Sequence, residues 1–358
     1  MKFAIFFLSA NSGAVLSTLK CFLHLTDKFP DLHPQLYSRA KPPLLTLVTG
    51  GHSEIQFSVL KHLEILLPRP TAQGIFDDEF RQFFVRYNEP PHIKHLKVKL
   101  IPFVSNDSNA KEIAAELSEY VTDVDAELSS RAIHAIGAIA MRVTTVSSDM
   151  TMRLVDLVDL DISHVRSESI KNLANIVRIF PAMKAVVVPS LARCLRRVDH
   201  QEAKSSVIWM IGEYAEDIME APYMIEKIID SYDNDLSSSM KTQLLIATMK
   251  MFFKRPAEVQ GMLGRILRFA INDQSDQDVH DRALLYYRLL TADINVASSL
   301  FQNSAHIPPA SSTGYAYGIF SEDTTDDLSN QVFAEFNTLA VIYGVPSVRF
   351  IDEPFQKV

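Results

Sequence analysis

Apolar positions recur along this chain with a helical period, most plainly in 206–216, which reads Ser-Val-Ile-Trp-Met-Ile-Gly-Glu-Tyr-Ala-Glu. Val207, Ile208, Met210, Ile211, Tyr214 and Ala215 spread over most of a helix circumference. A helix apolar on most sides is buried between neighbours on both flanks. Gly212 stands in its middle, where glycine costs a helix roughly 1 kcal/mol against alanine. Close approach by an adjacent helix would account for it. The stretch, with the chain's one tryptophan, Trp209, therefore reads as an inner helix of a stacked array.

Similar helices flank it. Before it, the pattern predicts helices at 11–29, 54–67, 92–100, 109–121, 126–143, 148–160, 164–180 and 182–198, the last kinked or restarted at Pro189. Shorter pieces are expected at 77–84 and at 44–48, the latter opened by Pro42-Pro43 and closed by Gly50-Gly51. Ser53, Ser108 and Asp125 are expected caps. The central helix should run over 202–219, followed by 222–232, 237–253, 256–272 and 277–292. No alternating strand of useful length is legible.

The inner helices superpose. Ile133, Ile170, Ile208, Leu245 and Leu284 take matching places 37, 38, 37 and 39 residues apart, and Leu16, Val59 and Leu96 extend the series more loosely. That is close to the period of HEAT and armadillo helix pairs. One pair cannot bury both of its apolar faces, whereas stacked pairs can. The expected fold is all-α, a HEAT/armadillo-like helical-repeat solenoid (an α-α superhelix), with repeats over residues 1–302. Residues 303–330, rich in Ser, Thr, Pro, Gly and Asp, read as a partly ordered loop. A last helix is expected at 331–343, with Val332, Phe333, Phe336, Leu339, Ala340 and Ile342 as its buried side. The tail 344–358 reads as extended, docking back through Val348, Phe350 and Ile351.

Composition narrows the function. The formal net charge of −8 over 358 residues gives no nucleic-acid footprint, and 11 glycines argue against Gly-rich nucleotide loops. Cys21 and Cys194 form no zinc set or disulfide framework, which fits a reducing compartment. No run of about 18 apolar residues suggests a membrane span. The first ten residues imitate a short signal peptide, but a buried first helix or an alternative start is the preferred reading.

Candidate chemistry is sparse. His92 and His95 have ligand-pair spacing, but Lys94 and Lys97 beside them oppose a cation, so a solvated helix face is expected. The segment Asp278-Val-His-Asp-Arg282 reads as helix-start capping and inter-repeat ion pairing. The segment Leu157-Val-Asp-Leu-Asp161 matches a short clathrin-box pattern, yet it continues the helical pattern of Met152 and Leu154 and reads as core helix. No nucleophile, base and oxyanion set assembles, and no catalytic residue, cofactor or metal site is predicted. Two basic clusters, Arg193 with Arg196 and Arg197, and Lys94 with Lys97 and Lys99, are the candidate contacts for an acidic partner or lipid headgroups. For the arginines, complementing a helix C-terminus is the competing reading.

Several stretches resemble the β-adaptins, large subunits of heterotetrameric vesicle adaptor complexes. Ile208-Trp-Met-Ile-Gly-Glu-Tyr-Ala215 is similar to that family's trunk motif, and Phe83-Phe-Val-Arg-Tyr-Asn-Glu-Pro90 to a second. Arg131-Ala-Ile-His-Ala-Ile-Gly137 and Asp281-Arg-Ala-Leu-Leu-Tyr-Tyr-Arg288 resemble two more, in family order over residues 10–346. Ala221-Pro-Tyr-Met, Phe252-Phe-Lys-Arg-Pro256 and the stretch from Phe333 to Tyr343 most resemble the β subunit of the type 4 complex. The resemblance implies a cytoplasmic, non-enzymatic coat subunit, peripheral on trans-Golgi network or endosomal membranes. It implies a medium (mu) chain, a second large adaptin and a small (sigma) chain as partners, cargo sorting as the role, and doubtful clathrin dependence. The alternative is another HEAT scaffold, such as a transport receptor or phosphatase scaffold. The family's trunk carries further repeats upstream, so this sequence reads as N-terminally truncated. Exposure of Phe3, Ile5, Phe6 and Phe7, and poor solubility, would follow.

Overall fold

Helix starts follow local chemistry. In the computed structural model the Asn11 side chain accepts from Gly13 N at 2.9 Å, and Asp125 accepts from Glu127 N and Leu128 N. Ser237 and Asp276 cap in the same way, while Pro91 and Pro256 open helices at positions that need no N–H donor. The structure describes residues 11–26, 28–50, 52–195, 197–232, 236–273, 275–302 and 325–350. Phe3, Ile5, Phe6 and Phe7, the segment 303–324, Arg196 and Ile351 lie outside these. Among the described residues every regular element is an α-helix or a short 3-10 turn.

The chain divides into two units, 1–147 with 310–358, and 148–309. The break after residue 147 leaves no mark in the periodic pattern, which runs on to 302. The first unit begins with α1 (Ser12–Leu25), α2 (His33–Thr49), α3 (Ser53–Leu66), α4 (Pro91–Leu100), α5 (Ala110–Tyr120) and α6 (Ala126–Arg142). Helix α1 packs on α2, α2 on α3 and α3 on α4, and α6 lies against both α4 and α5. The second unit holds α7 (Ser147–Val158, its first residue at the division), α8 (Ser163–Ile179), α9 (Lys184–Cys194), α10 (Gln201–Glu213), α11 (Ala221–Ile229), α12 (Ser238–Lys254), α13 (Pro256–Asn272), α14 (Gln277–Ala292) and α15 (Ile294–Gln302). Here α8, α10 and α12 stack in turn, with α9 and α11 lodged between successive members. The chain then returns to the first unit as α16 (Thr325–Ala334) and α17 (Leu339–Tyr343), both packed on α3.

The repeat positions are core positions. Leu16, Val59, Leu96, Ile133, Ile170, Ile208 and Leu245 are buried, and Leu284 is half-buried. Gly212 permits the expected close approach. A Cβ built there would lie 2.6 Å from the Cα of Ala247 on α12 and 2.7 Å from its Cβ. No real Cβ stands so close, so α10 and α12 touch through backbone at this point.

Several expectations are corrected. Pro42 and Pro43 do not open a short piece; both lie inside α2. Leu36, Tyr37, Ala40, Leu44 and Leu45 are buried on one continuous face across them, and the residues whose carbonyls lose their partners, Ser38 and Arg39, are exposed. Pro189 sits within α9, so the helix does not restart there. The central helix ends at Glu213 rather than 219, and Trp209 is half-buried beneath the Arg178 guanidinium, 4.2 Å from its ring centre. Asn106, not Ser108, organises the start of α5, accepting from Ser108 N and Asn109 N. Helix α15 is an addition to the expected set. Residues 325–330, expected as loop, belong to α16, and the single helix expected at 331–343 is two, divided by a turn in which Asn337 takes φ 57°. Leu339 and Val348 are exposed rather than buried, and Phe350 packs on Tyr343, ring centres 5.2 Å apart.

Candidate interaction surface

The stacking geometry makes residues one repeat apart into neighbours, and the polar and charged side chains use it. Arg81 pairs with Glu112, His95 with Asp125, Lys171 with Glu202, Lys184 with Asp217, Lys241 with Asp273, Lys250 with Glu213 and Arg265 with Asp230, at 2.5–3.2 Å across 30–37 residues of chain. Lys99 joins Glu64 at 2.5 Å. Burial pushes the Glu64 carboxyl up, but Lys99 and Lys61 outweigh it and hold it below its ordinary value. Helix ends are fastened in the same manner. Arg142 at the end of α6 donates to Pro102 O at 2.8 Å. Arg255 after α12 donates to Ala215 O, Ile218 O and Met219 O beyond α10. Buried Arg166 donates to Val158 O, Leu160 O and Arg197 O.

Lys97, predicted to face a partner, does not. It is fully buried, its ammonium 2.5 Å from Glu89 Oε1 and 3.3 Å from Phe84 O. Burial lowers its pKa against the pull of Glu89. The pair fastens the turn Phe83–Pro90 to α4, which a lysine on the apolar face of Ile93, Leu96 and Leu100 could have announced. Lys94 lies 6.0 Å from the ring centre of fully exposed Tyr87. Arg193 and Arg197 are exposed, but each faces an aspartate of its own unit, Asp159 and Asp161, at 3.6 Å. Among the described residues, the two clusters are thus mostly ion pairs within the chain rather than open basic patches.

The segment Leu157–Asp161 is only partly core helix. Helix α7 ends at Val158, Leu160 is exposed, and Asp161 receives Arg166 and Arg197. His95 bonds the cap residue Asp125, and His92 sits edge-on to Phe57. His280 Nδ1 lies 2.8 Å from Ile271 O, and Arg282 pairs with Asp278 one turn back. The Cys194 thiol, buried and within 2.8 Å of Ser190 O, is pushed up to about 11 by burial, which makes it a poor nucleophile. A cleft of about 480 Å³ opens between α2 and the 3-10 turn Asp77–Phe83, lined by Lys41, Thr46, Thr49, Glu79, Gln82 and Arg86. Among the described residues no cluster of three or more His, Cys, Asp or Glu side chains could hold a metal ion.

What this arrangement offers is a helical array whose polar groups join repeat to repeat. The family described as the adaptin N-terminal region matches residues 4–293. The chain belongs to the adaptin family. Among its relatives are beta-adaptin-like protein A of Arabidopsis thaliana, 38% identical over 97% of this chain and 40% of that protein, and AP-4 complex subunit beta-1 of Mus musculus, 32% identical over 94% and 44%. AP-1 complex subunit beta-1 of Homo sapiens is 30% identical over 96% of this chain and 35% of its own length. This adaptin chain thus spans about two-fifths of the length of those relatives. A homology-model structure of the full-length AP-3 complex in an intermediate open conformation superposes with a TM-score of 0.64 at 19% identity, covering 84% of this chain and 51% of that one. The shared fold is the helical-repeat solenoid expected from the 37–39 residue period.

Proposed function

We propose that this adaptin is a β-type subunit of a vesicle-coat adaptor complex, a non-enzymatic scaffold for intracellular protein transport. The family match over residues 4–293 carries the reading. The stacked helices support it, because an array of this kind offers extended surface for other chains rather than a catalytic cleft. In this reading the array holds the medium chain beside a second large chain and a small chain, and sorts cargo through the complex. Membrane association is peripheral, at the trans-Golgi network or endosomes. No helix among the described residues is long and apolar enough to cross a membrane, which agrees with peripheral attachment. Arg193, Arg197, Lys94 and Lys99 are the candidate cations for an acidic partner, and contact competes with Asp159 and Asp161 for the arginines and with Glu64 for Lys99.

Co-expression with a type 4 medium chain tests the proposal. A stable stoichiometric pair on size exclusion is the expected outcome. A folded chain that never retains the medium chain would remove the role in adaptor assembly and favour a generic helical-repeat scaffold.

A further inference from the structure

Helices α16 and α17 pack on α3 although hundreds of residues separate them in sequence. Arg69 Nη2 donates to Asn330 Oδ1 at 3.2 Å across 261 residues, and Asn337 Nδ2 to Ser17 Oγ at 3.1 Å across 320. The segment is anchored by two aromatic rings three positions apart. Phe333 lies against the Arg69 guanidinium, 3.4 Å from ring centre to Cζ. Phe336, buried, meets the His62 ring edge-on with centres 4.8 Å apart. Val332, Ala340 and Val341 complete the buried side.

Two features make this seat exchangeable. First, helices of 10 and 5 residues are too short to hold their form alone, so the segment is ordered by the groove rather than arriving preformed. Its polar anchors Asn330 and Asn337 make their bonds at the exposed margin of the groove. Second, the resident leaves the groove imperfectly satisfied. His62 is buried, its Nδ1 lies 2.6 Å from Ser58 O, and its Nε2 is buried without a hydrogen-bond partner. The carbonyl can only accept, so Nδ1 carries the proton and Nε2 is a bare acceptor. An occupant that supplies a donor there satisfies an atom that residues 325–350 do not.

We infer that the α3 face is a docking groove for a partner's helical segment with two aromatic side chains three residues apart and a hydroxyl or amide donor for His62 Nε2. Residues 325–350 are its intramolecular competitor. Undocking frees the groove and also the segment, whose outer side already exposes Leu339, Tyr343 and Val348. The inference rests on this groove alone and stands apart from the adaptor reading.

The test uses the full chain, wild type and Phe333→Ala/Phe336→Ala, with a fluorescent peptide copying residues 326–345 as probe. The double variant, its own segment weakened, is expected to bind the peptide at least tenfold more tightly than wild type. His62→Ala and Arg69→Ala added to it should abolish that gain. A folded double variant, with unchanged circular dichroism, that binds no better than wild type overturns the inference. If that variant does not fold, hydrogen exchange on the wild type decides. Amides of 328–343 exchanging at least tenfold faster than those of α3 support an exchangeable seat, and exchange in step with α3 overturns it. A wild-type dimer dissolved by the double substitution would assign the groove to a second copy and also overturn it.

Discussion

Gly212, Lys97 and His62 show how single residues set the limits of this array. Gly212→Ala gains about 1 kcal/mol of helix propensity, but its Cβ meets Ala247 backbone, and overpacking costs about 1–3 kcal/mol. A net loss of stability is expected in urea unfolding. Gly212→Ala/Ala247→Gly should recover only part of it, since the Ala247 backbone still crowds the new methyl group. Lys97→Met should cost about 3–5 kcal/mol by stranding Glu89, and Lys97→Met/Glu89→Leu should recover most of that. A solvent-facing lysine would show neither effect. For His62, burial lowers the folded-state pKa below its ordinary 6.5. Between the two values the unfolded chain binds a proton that the folded chain refuses, so stability is complete above about 6.5 and declines as pH falls through that range. The urea midpoint should drop between pH 7.5 and 5.5, and His62→Phe should flatten that dependence.

Elements owe their boundaries partly to local signals and partly to neighbours. Asp125 announced α6, and Pro256 announced α13, because a cap or an N-terminal proline acts within one turn. The passage of α2 through Pro42 and Pro43 was not announced, because packing of its buried face outweighs two missing backbone bonds. The end of α10 at Glu213 was also hidden. Its following turn is held by Arg255, some 40 residues on, through three carbonyls. Arg255→Ala should therefore speed amide exchange in residues 214–219 and lower stability by about 1–3 kcal/mol, while α10 itself keeps its helical signal. Equal exchange in both proteins would show that the turn holds itself.

For the whole molecule, stacking predicts that damage stays near its source, because each repeat touches mainly its neighbours. Gly212→Ala should raise exchange in α10 and α12 well before α3 and α4 respond. A uniform rise throughout the chain would argue for one cooperative unit. The repeat was legible because each inner helix contributes one buried apolar residue at a nearly constant interval, and Ile133, Ile170, Ile208 and Leu245 are all core. The division after residue 147 and the choice of α3 as the seat of α16 and α17 were not, because neither leaves a periodic trace.

Period, capping residues and the mid-helix glycine determined from the sequence alone that this chain is an all-helical repeat array, since those signals act over one or two turns or recur at fixed spacing. The candidate surface was less legible. Lysine and arginine look alike in sequence whether they end in an exposed pair, as Arg193 does, or in a buried one, as Lys97 does. Tertiary structure decided between them by bringing Glu89, Asp159 and Asp161 within reach, and it alone placed Phe336 against His62. Charge pairing and aromatic docking depend on distances across the stack, and those exist only once the helices have packed.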